Sequence, residues 1–374
     1  MVLHPGTKEE AGTASRGRSG VRIGFYSDSR AIGGAETSLR NLLEALSPWV
    51  EAIAVGVDAD VVDWVAGRRP GCTTLVLPAI GSKWDVAAFR AHVHAFRQFR
   101  PPILHVNLSD PWSSHWALLA AIITPGIHIV AVEQSTWRTR SLRRRLLKRL
   151  LSRGVAAEVA VGTASADAAA EFTGLSRRRI RVIHNGVPDE EVQPLARATT
   201  APTVGAVGRL EREKGFDVLL RALASVPEAE ARIVGDGGSK QGLVDLADTL
   251  ELGGRVHFLG WSAEPRRHFS TFDLCAVPSR IEAFPLVVVE AMLAGLPVVA
   301  SEVGSVADAV VDGETGLLVP PDDPDALAAA LRALLDDPER MKLMGLRGRE
   351  RARQRFTAEA MAARFESLYA ELLE

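Results

Sequence analysis

The sequence predicts an α/β fold of two doubly wound parallel-sheet domains facing each other across a cleft, and three observations carry that prediction. Short β-rich apolar runs alternate with loops and helical stretches, the pattern of parallel strands joined by crossover helices on both sheet faces. That pattern stops at a polar segment, 186–202, which holds three prolines and no sustained period, and then begins again. The chain has 374 residues, 47% of them hydrophobic and 24% charged, more than one domain usually holds.

In chain order, residues 1–20 are rich in Gly, Ser, Thr and charge and lack the apolar core of a secretory signal, so they read as a disordered leader. Over 21–185 the strands expected are Val21 to Tyr26, Ala52 to Val57, Thr74 to Leu77, Ile103 to Val106, Ile127 to Val132, Glu158 to Val161 and Ile180 to Ile183, with helices between them. The long apolar region from Trp116 to Val132 is broken by Pro125 and Gly126 into a helix and a strand, which makes it core rather than a membrane span. After the linker, 203–355 offers strands at Thr203 to Val207, Ala231 to Val234, Val256 to Phe258, Leu274 to Val277 and Val298 to Ala300. Helices follow Lys214, Ser239, Leu286 and Asp325. The clearest runs from Leu286 to Ala294, with Pro285 suited to its first position and Gly295 as its stop.

The net charge of -2 argues neither for nucleic acid nor for a strongly acidic partner. Two cysteines, Cys72 and Cys275, lie in apolar runs that read as strands, which suits buried thiols in a reducing, cytoplasmic setting better than a disulfide framework.

Ligands of open parallel sheets collect at the carboxyl ends of strands, and several motifs fall there. In PSRIEAFPLVVVEAMLAGLPVVAS, Glu282 and Glu290 flank the start of the apolar helix, with Ala283, Phe284, Pro285, Leu286 and Val287 between them. Free N–H groups and aligned peptide dipoles at a helix start suit a diphosphate, and carboxylates beside them accept hydrogen bonds from sugar hydroxyls. Gly208 and Arg209 to Lys214 follow the first strand of the second half. Both cations can converge on one diphosphate there, Arg as a planar fork and Lys as a point charge, although a solvated charged loop has the same composition. Gly235, Asp236 and Gly237 end the next strand, and Leu259 and Gly260 the one after, where glycine lets the backbone approach a nucleotide or simply turns the chain. Gly33 and Gly34 stand between the first strand and its helix, either for close approach to a ligand or for strand-helix geometry alone. The G-x-G-x-x-G dinucleotide fingerprint is absent there, which removes the main support for an oxidoreductase.

With GGAE at Gly33 to Glu36, HNGV at His184 to Val187, GRLEREKGFDVLLRAL from Gly208 and E-x7-E at Glu282 and Glu290, in that order, the chain resembles the retaining glycosyltransferases of family 4 from Val21 to its end. The resemblance implies the GT-B fold of two facing Rossmann-like domains, with the last helix, within 356–374, crossing back onto the first. It implies that Glu282 contacts donor-sugar hydroxyls, that Glu290 binds ribose, and that Arg209 and Lys214 stabilise the departing diphosphate while Gly33 and Gly34 close over the phosphates. It further implies retention of configuration, no cofactor, and no bound metal, since cations and helix N–H groups take that role. Two positions depart from the family pattern. Ala283 stands where Gly is frequent, and in VAVEQSTW, Glu133 or Gln134 stands where many members carry a histidine; His105 and His115 are the candidate substitutes, and a lone histidine is more often structural.

The partners expected are therefore a nucleotide-sugar donor and a hydroxyl acceptor, whether glycan, lipid-linked or small molecule. A nucleotide-sugar epimerase or hydrolase of the same fold is the alternative enzyme, and a catalytically silent nucleotide-sugar-binding protein the alternative from another class. One feature stands outside this scheme: 137–153, WRTRSLRRRLLKRLLSR, has eight basic residues, no acidic ones, and leucines on one stripe. Its preferred reading is an outer helix whose leucines pack on the core, with peripheral contact to an anionic membrane as the second.

Overall fold

The structure is a computed structural model that describes residues 20–137, 141–191, 193–196 and 199–374. The expected leader falls, except for Gly20, outside the described residues. Strands β1 (Val21–Ser27), β2 (Val50–Gly56), β3 (Thr73–Val76), β4 (Ile103–Leu108), β5 (His128–Glu133), β6 (Ala157–Ala160) and β7 (Ile180–Val182) form one parallel sheet, ordered β3-β2-β1-β4-β5-β6-β7. Strands β8 (Thr203–Val207), β9 (Glu230–Val234), β10 (Val256–Gly260), β11 (Leu274–Val277), β12 (Val298–Ser301) and β13 (Gly316–Val319) form the second, ordered β10-β9-β8-β11-β12-β13 and also parallel. Each order reverses beside its first strand, between β1 and β4 and between β8 and β11. Loops leaving those neighbours diverge and open a crevice at the strands' carboxyl ends.

Burial on both faces explains the uninterrupted apolar strands. Ile23 and Phe25 of β1 and Val204 and Ala206 of β8 have no exposed surface. The expected strands are all present, with ends shifted by a residue or two, and β13 is an additional one on the sheet edge. Pro285 is the N-cap of the helix Leu286–Leu293, with extended backbone, instead of its first helical residue; Gly295 stops that helix at φ 79°. Cys275 is buried as expected, whereas Cys72 lies just before β3 and is partly exposed.

The two domains are strapped together by the segments entering and leaving the second. Val187 and Phe356–Ala358 run side by side, Val187 N donating to Phe356 O and Ala358 N to Val187 O, each at 3.0 Å. No side chain fits at Gly186, where a Cβ would lie 2.3 Å from Thr357 O. The last helix, Ala358–Leu373, then packs on the first domain. There Tyr369 OH meets His105 Nδ1 at 2.8 Å, and Glu366 accepts from Ser47 N and Oγ. Full burial lowers the His105 pKa to about 3, so this imidazole is neutral and structural.

A second buried polar cluster lies in the same domain. Glu133 ends β5 and has no exposed surface, and Lys148 Nζ from the helix Leu142–Leu151 lies 2.6 Å from its Oε1. Glu158 of β6 is buried beside them. Desolvation raises its pKa to about 8, with Lys148 opposing the rise and Glu133 adding to it. Leaving one member of the buried Lys148–Glu133 pair without its partner is costly, typically about 3–5 kcal/mol.

Two outcomes follow for stability. Tyr369→Phe leaves a buried imidazole nitrogen without its partner and should cost about 1–3 kcal/mol, read as a lower urea midpoint; an unchanged midpoint contradicts the assignment. Between pH 4.5 and about 8, Glu158 is protonated in the fold and ionised in the unfolded chain, so folding takes up a proton and stability falls as pH rises through that window. Glu158→Gln should flatten that slope in urea unfolding at pH 5.5 and 8.5, and an equal decline in both proteins argues against it.

Candidate active site

The crevice of the second domain is built around one carboxylate. Glu282 is 8% exposed, and its Oε1 accepts from Lys214 Nζ at 2.6 Å and from Ser279 Oγ at 2.7 Å. No described residue donates to its Oε2. Lys214 comes from the loop after β8 and Glu282 from the loop after β11, neighbouring strands on either side of the crevice.

The backbone makes this meeting possible. Gly215 has φ 65°, and a Cβ there would sit 2.0 Å from Pro278 O, so glycine is required for the two loops to touch. Arg280 stitches the same loops: its guanidinium forks onto Asp217 at 2.8 Å and reaches Arg212 O, and its N–H donates to Glu213 O. That fork holds the Asp217 carboxyl below the usual range, with burial opposing it. On the far side, Gly304 at φ 55° lies so close to Glu282 O that a Cβ would overlap it.

Gly208 N donates to Val234 O and Gly235 N to Gly260 O, lacing the ends of β8, β9 and β10 into one floor. A Cβ on Gly235 would strike Gly208 O at 1.9 Å, and the Lys214 stem passes Gly208 at 3.8 Å from where its Cβ would be. Arg209 follows on this floor, exposed, with no ion pair among the described residues. Asp236, also exposed, is paired with Lys240 at 3.0 Å, while Gly237 packs on Leu210. Glu290 lies one turn inside the helix that Phe284 and Pro285 lead into. Burial pushes its carboxyl up, against the pull of Arg266. Ala283 has no positive φ, so the alanine there is unstrained, and Leu286 and Val287 form the half-buried first turn.

Across the cleft, Gly33 caps the helix Gly34–Ala45. Neither glycine has a positive φ, and a Cβ on Gly34 would meet nothing within 4 Å. Strand-helix geometry therefore does not require that residue to be glycine. Glu36, 3% exposed, holds the turn by accepting from Gly33 N at 3.1 Å and Ser27 Oγ at 3.3 Å.

The three acceptor-side candidates are not open to the cleft in one place. His105 is sealed under the last helix and Glu133 is committed to Lys148. Gln134 alone is partly exposed, but its amide bridges Asn107 Oδ1 at 2.9 Å and Asn185 Nδ2 at 3.0 Å. His115 begins a helix, stacked on Trp112 with ring centroids 4.5 Å apart. The same edge carries Asp28, which accepts from Ser114 N and Oγ at 2.6 and 3.1 Å. Burial raises the Asp28 carboxyl against those hydrogen bonds.

Several residues that build the site were not anticipated. Ser279 and Arg280 sit in the quoted motif, and a hydroxyl three residues before a carboxylate is a readable signal. The domain bridge is not: Asp308 accepts from Thr163 N at 2.8 Å and His184 Nε2 at 3.1 Å, and Ser305 Oγ from Ala164 N at 3.1 Å. Burial alone would raise the Asp308 carboxyl, but these partners hold it below the usual range. The loop that presses on Glu282 thus also grips the first domain. A cavity of about 400 Å³ lies elsewhere, between the linker and Arg266, Phe269 and Arg349, and includes none of Arg209, Lys214 or Glu282. Among the described residues, no three His, Cys, Asp or Glu side chains cluster as metal ligands would.

Comparison with known proteins agrees with this fold. Residues 32–191 match the family model described as Glycosyltransferase Family 4, and residues 188–351 the model Glycosyl transferases group 1. A D-inositol 3-phosphate glycosyltransferase of Corynebacterium diphtheriae is 40% identical over 178 residues, 44% of this chain and 41% of that one. Its counterpart from Corynebacterium urealyticum is 29% identical, with 100% of this chain and 95% of that one covered. The crystal structure of Anabaena HepE in complex with UDP superposes with a TM-score of 0.82 at 23% identity, covering 94% of this chain and 100% of that one, and so shares the GT-B fold. Matched along both halves and folded as two facing parallel-sheet domains, the chain belongs to the group 1 and family 4 glycosyltransferases.

Proposed function

We propose that the protein transfers a sugar from a nucleoside-diphosphate donor to a hydroxyl acceptor with retention of configuration and without a bound metal. The carrying observation is the Lys214–Glu282–Ser279 contact at the mouth of the β8/β11 crevice. In this reading Lys214, held on Glu282 while no donor is bound, turns its charge to the diphosphate, and the exposed Arg209 supplies the second cation. Glu282 then accepts hydrogen bonds from sugar hydroxyls. The N–H groups at the start of Leu286–Leu293 face the phosphates, and Glu290 with the β9 and β10 loop ends receives the nucleoside. Gly33 and Gly34 close over the diphosphate from the opposite domain.

As the glycosidic bond breaks, its electron pair leaves with the diphosphate, and the acceptor hydroxyl attacks the face from which the diphosphate departs. The proton of that hydroxyl passes to the departing phosphate oxygen. Fixed cations matter most in such a step because negative charge grows on the leaving group as the transition state forms. HepE was crystallised with UDP, which makes a uridine diphosphate sugar the first donor class to try.

Lys214→Ala and Glu282→Ala should each lower transfer by about 100 to 1000-fold with the fold retained, measured as nucleoside diphosphate released in the presence of acceptor. Full activity in either variant refutes the assignment. A thermal-shift screen of nucleoside diphosphates and their sugars should show one base raising the melting temperature. Activity should survive EDTA, and loss restored by Mg²⁺ or Mn²⁺ would show that the cations do not act alone.

A further inference from the structure

The helix Leu142–Leu151 does not pack its leucine stripe on the core. Leu142 is 73% exposed, Leu146 65% and Leu150 60%, one per turn, with Leu147 beside them at 40%. The buried residues are Lys148 and Leu151. At about 100° per residue, Lys148 lies roughly 200° around the helix from Leu146, so seating the lysine on Glu133 turns the leucines outward. Rotating the helix to bury them would strip Glu133 of its countercharge, and the buried ion pair therefore locks the apolar ridge toward solvent.

Basic side chains flank that ridge. Arg143, Arg149 and Arg153 are exposed and have no acidic partner among the described residues, while Arg145 is taken up by Glu171 at 2.6 Å. Trp137, just ahead of the helix, is 59% exposed. An apolar ridge between cationic flanks complements the interface of an anionic bilayer, where leucines enter the acyl boundary and guanidinium groups stay among phosphates. A soluble acidic protein or polyanion would satisfy the arginines and leave the leucines in water. No helix among the described residues is long and apolar enough to cross a membrane.

We infer that this face docks the protein reversibly on an anionic membrane surface. The surface stands apart from the donor chemistry, because docking is read with no donor present; a lipid-borne acceptor follows only when the glycosyltransfer reading holds as well.

The test is flotation of the full chain with phosphatidylcholine vesicles, with and without an equal share of phosphatidylglycerol, at low and moderate salt. Binding is expected to the anionic vesicles at low salt, to be weakened by salt, and to be absent from phosphatidylcholine alone. Replacing Leu142, Leu146 and Leu150 together by Gln should lower partition at least tenfold with an unchanged melting temperature, since all three are exposed. Replacing Arg143, Arg149 and Arg153 by Gln should lower it about 100-fold, at roughly fivefold for each basic side chain. No binding of the unaltered protein to anionic vesicles at low salt overturns the inference. So does undiminished binding of the leucine variant, or a homodimer in sedimentation velocity that the leucine variant dissolves, which would assign the ridge to a second copy.

Discussion

The ion pair between Lys214 and Glu282 holds the crevice together, and most of the surrounding structure exists to let it form. Two loops from neighbouring strands must come within hydrogen-bonding distance, which side chains on their backbones would forbid. Gly215 and Gly304 remove the obstruction on either side of Glu282, and Arg280 replaces it with directional bonds from one loop to the other. Lys214 is only partly buried, so one side of its ammonium stays open to the crevice while the pair orients both groups.

The same loop connects local geometry to the arrangement of the domains. Gly304 presses on Glu282, and within the next four residues Ser305 and Asp308 bind the first helix turn at Thr163 and Ala164 and the imidazole of His184. The contact on Glu282 and the bridge to the first domain are thus only a few residues apart on one loop. The strap of Val187 against Phe356–Ala358 ties both crossings between the domains at one point by backbone hydrogen bonds.

Much of this was legible in sequence because parallel strands buried on both faces write themselves as continuous apolar runs, and the loops after them carry the glycines and charges. β13 escaped notice because Gly316–Val319 is only four residues long and opens on a glycine. The acceptor side was less legible for a different reason. Glu133 and Gln134 are polar residues at the end of β5 and His105 a polar residue within β4, yet Glu133 and His105 are spent on contacts with other elements, Lys148 of the helix Leu142–Leu151 and Tyr369 of the last helix. A partner at long sequence separation leaves no local signal. The leucines of the basic helix were misleading in the opposite sense: their spacing fits core packing, and only the position of Lys148 shows which face turns inward.

That helix also shows how a polar core can serve a surface. Burying two acidic side chains and a lysine costs desolvation that well-packed apolar residues would avoid, so stability alone does not account for Glu133, Lys148 and Glu158. What the cluster provides is orientation. Apolar contacts are non-directional, and a helix with three leucines on one stripe would by default roll them onto the sheet. A charged contact that can be made in only one rotational setting opposes that roll, and holds the leucines and arginines outward together on the amino-terminal domain.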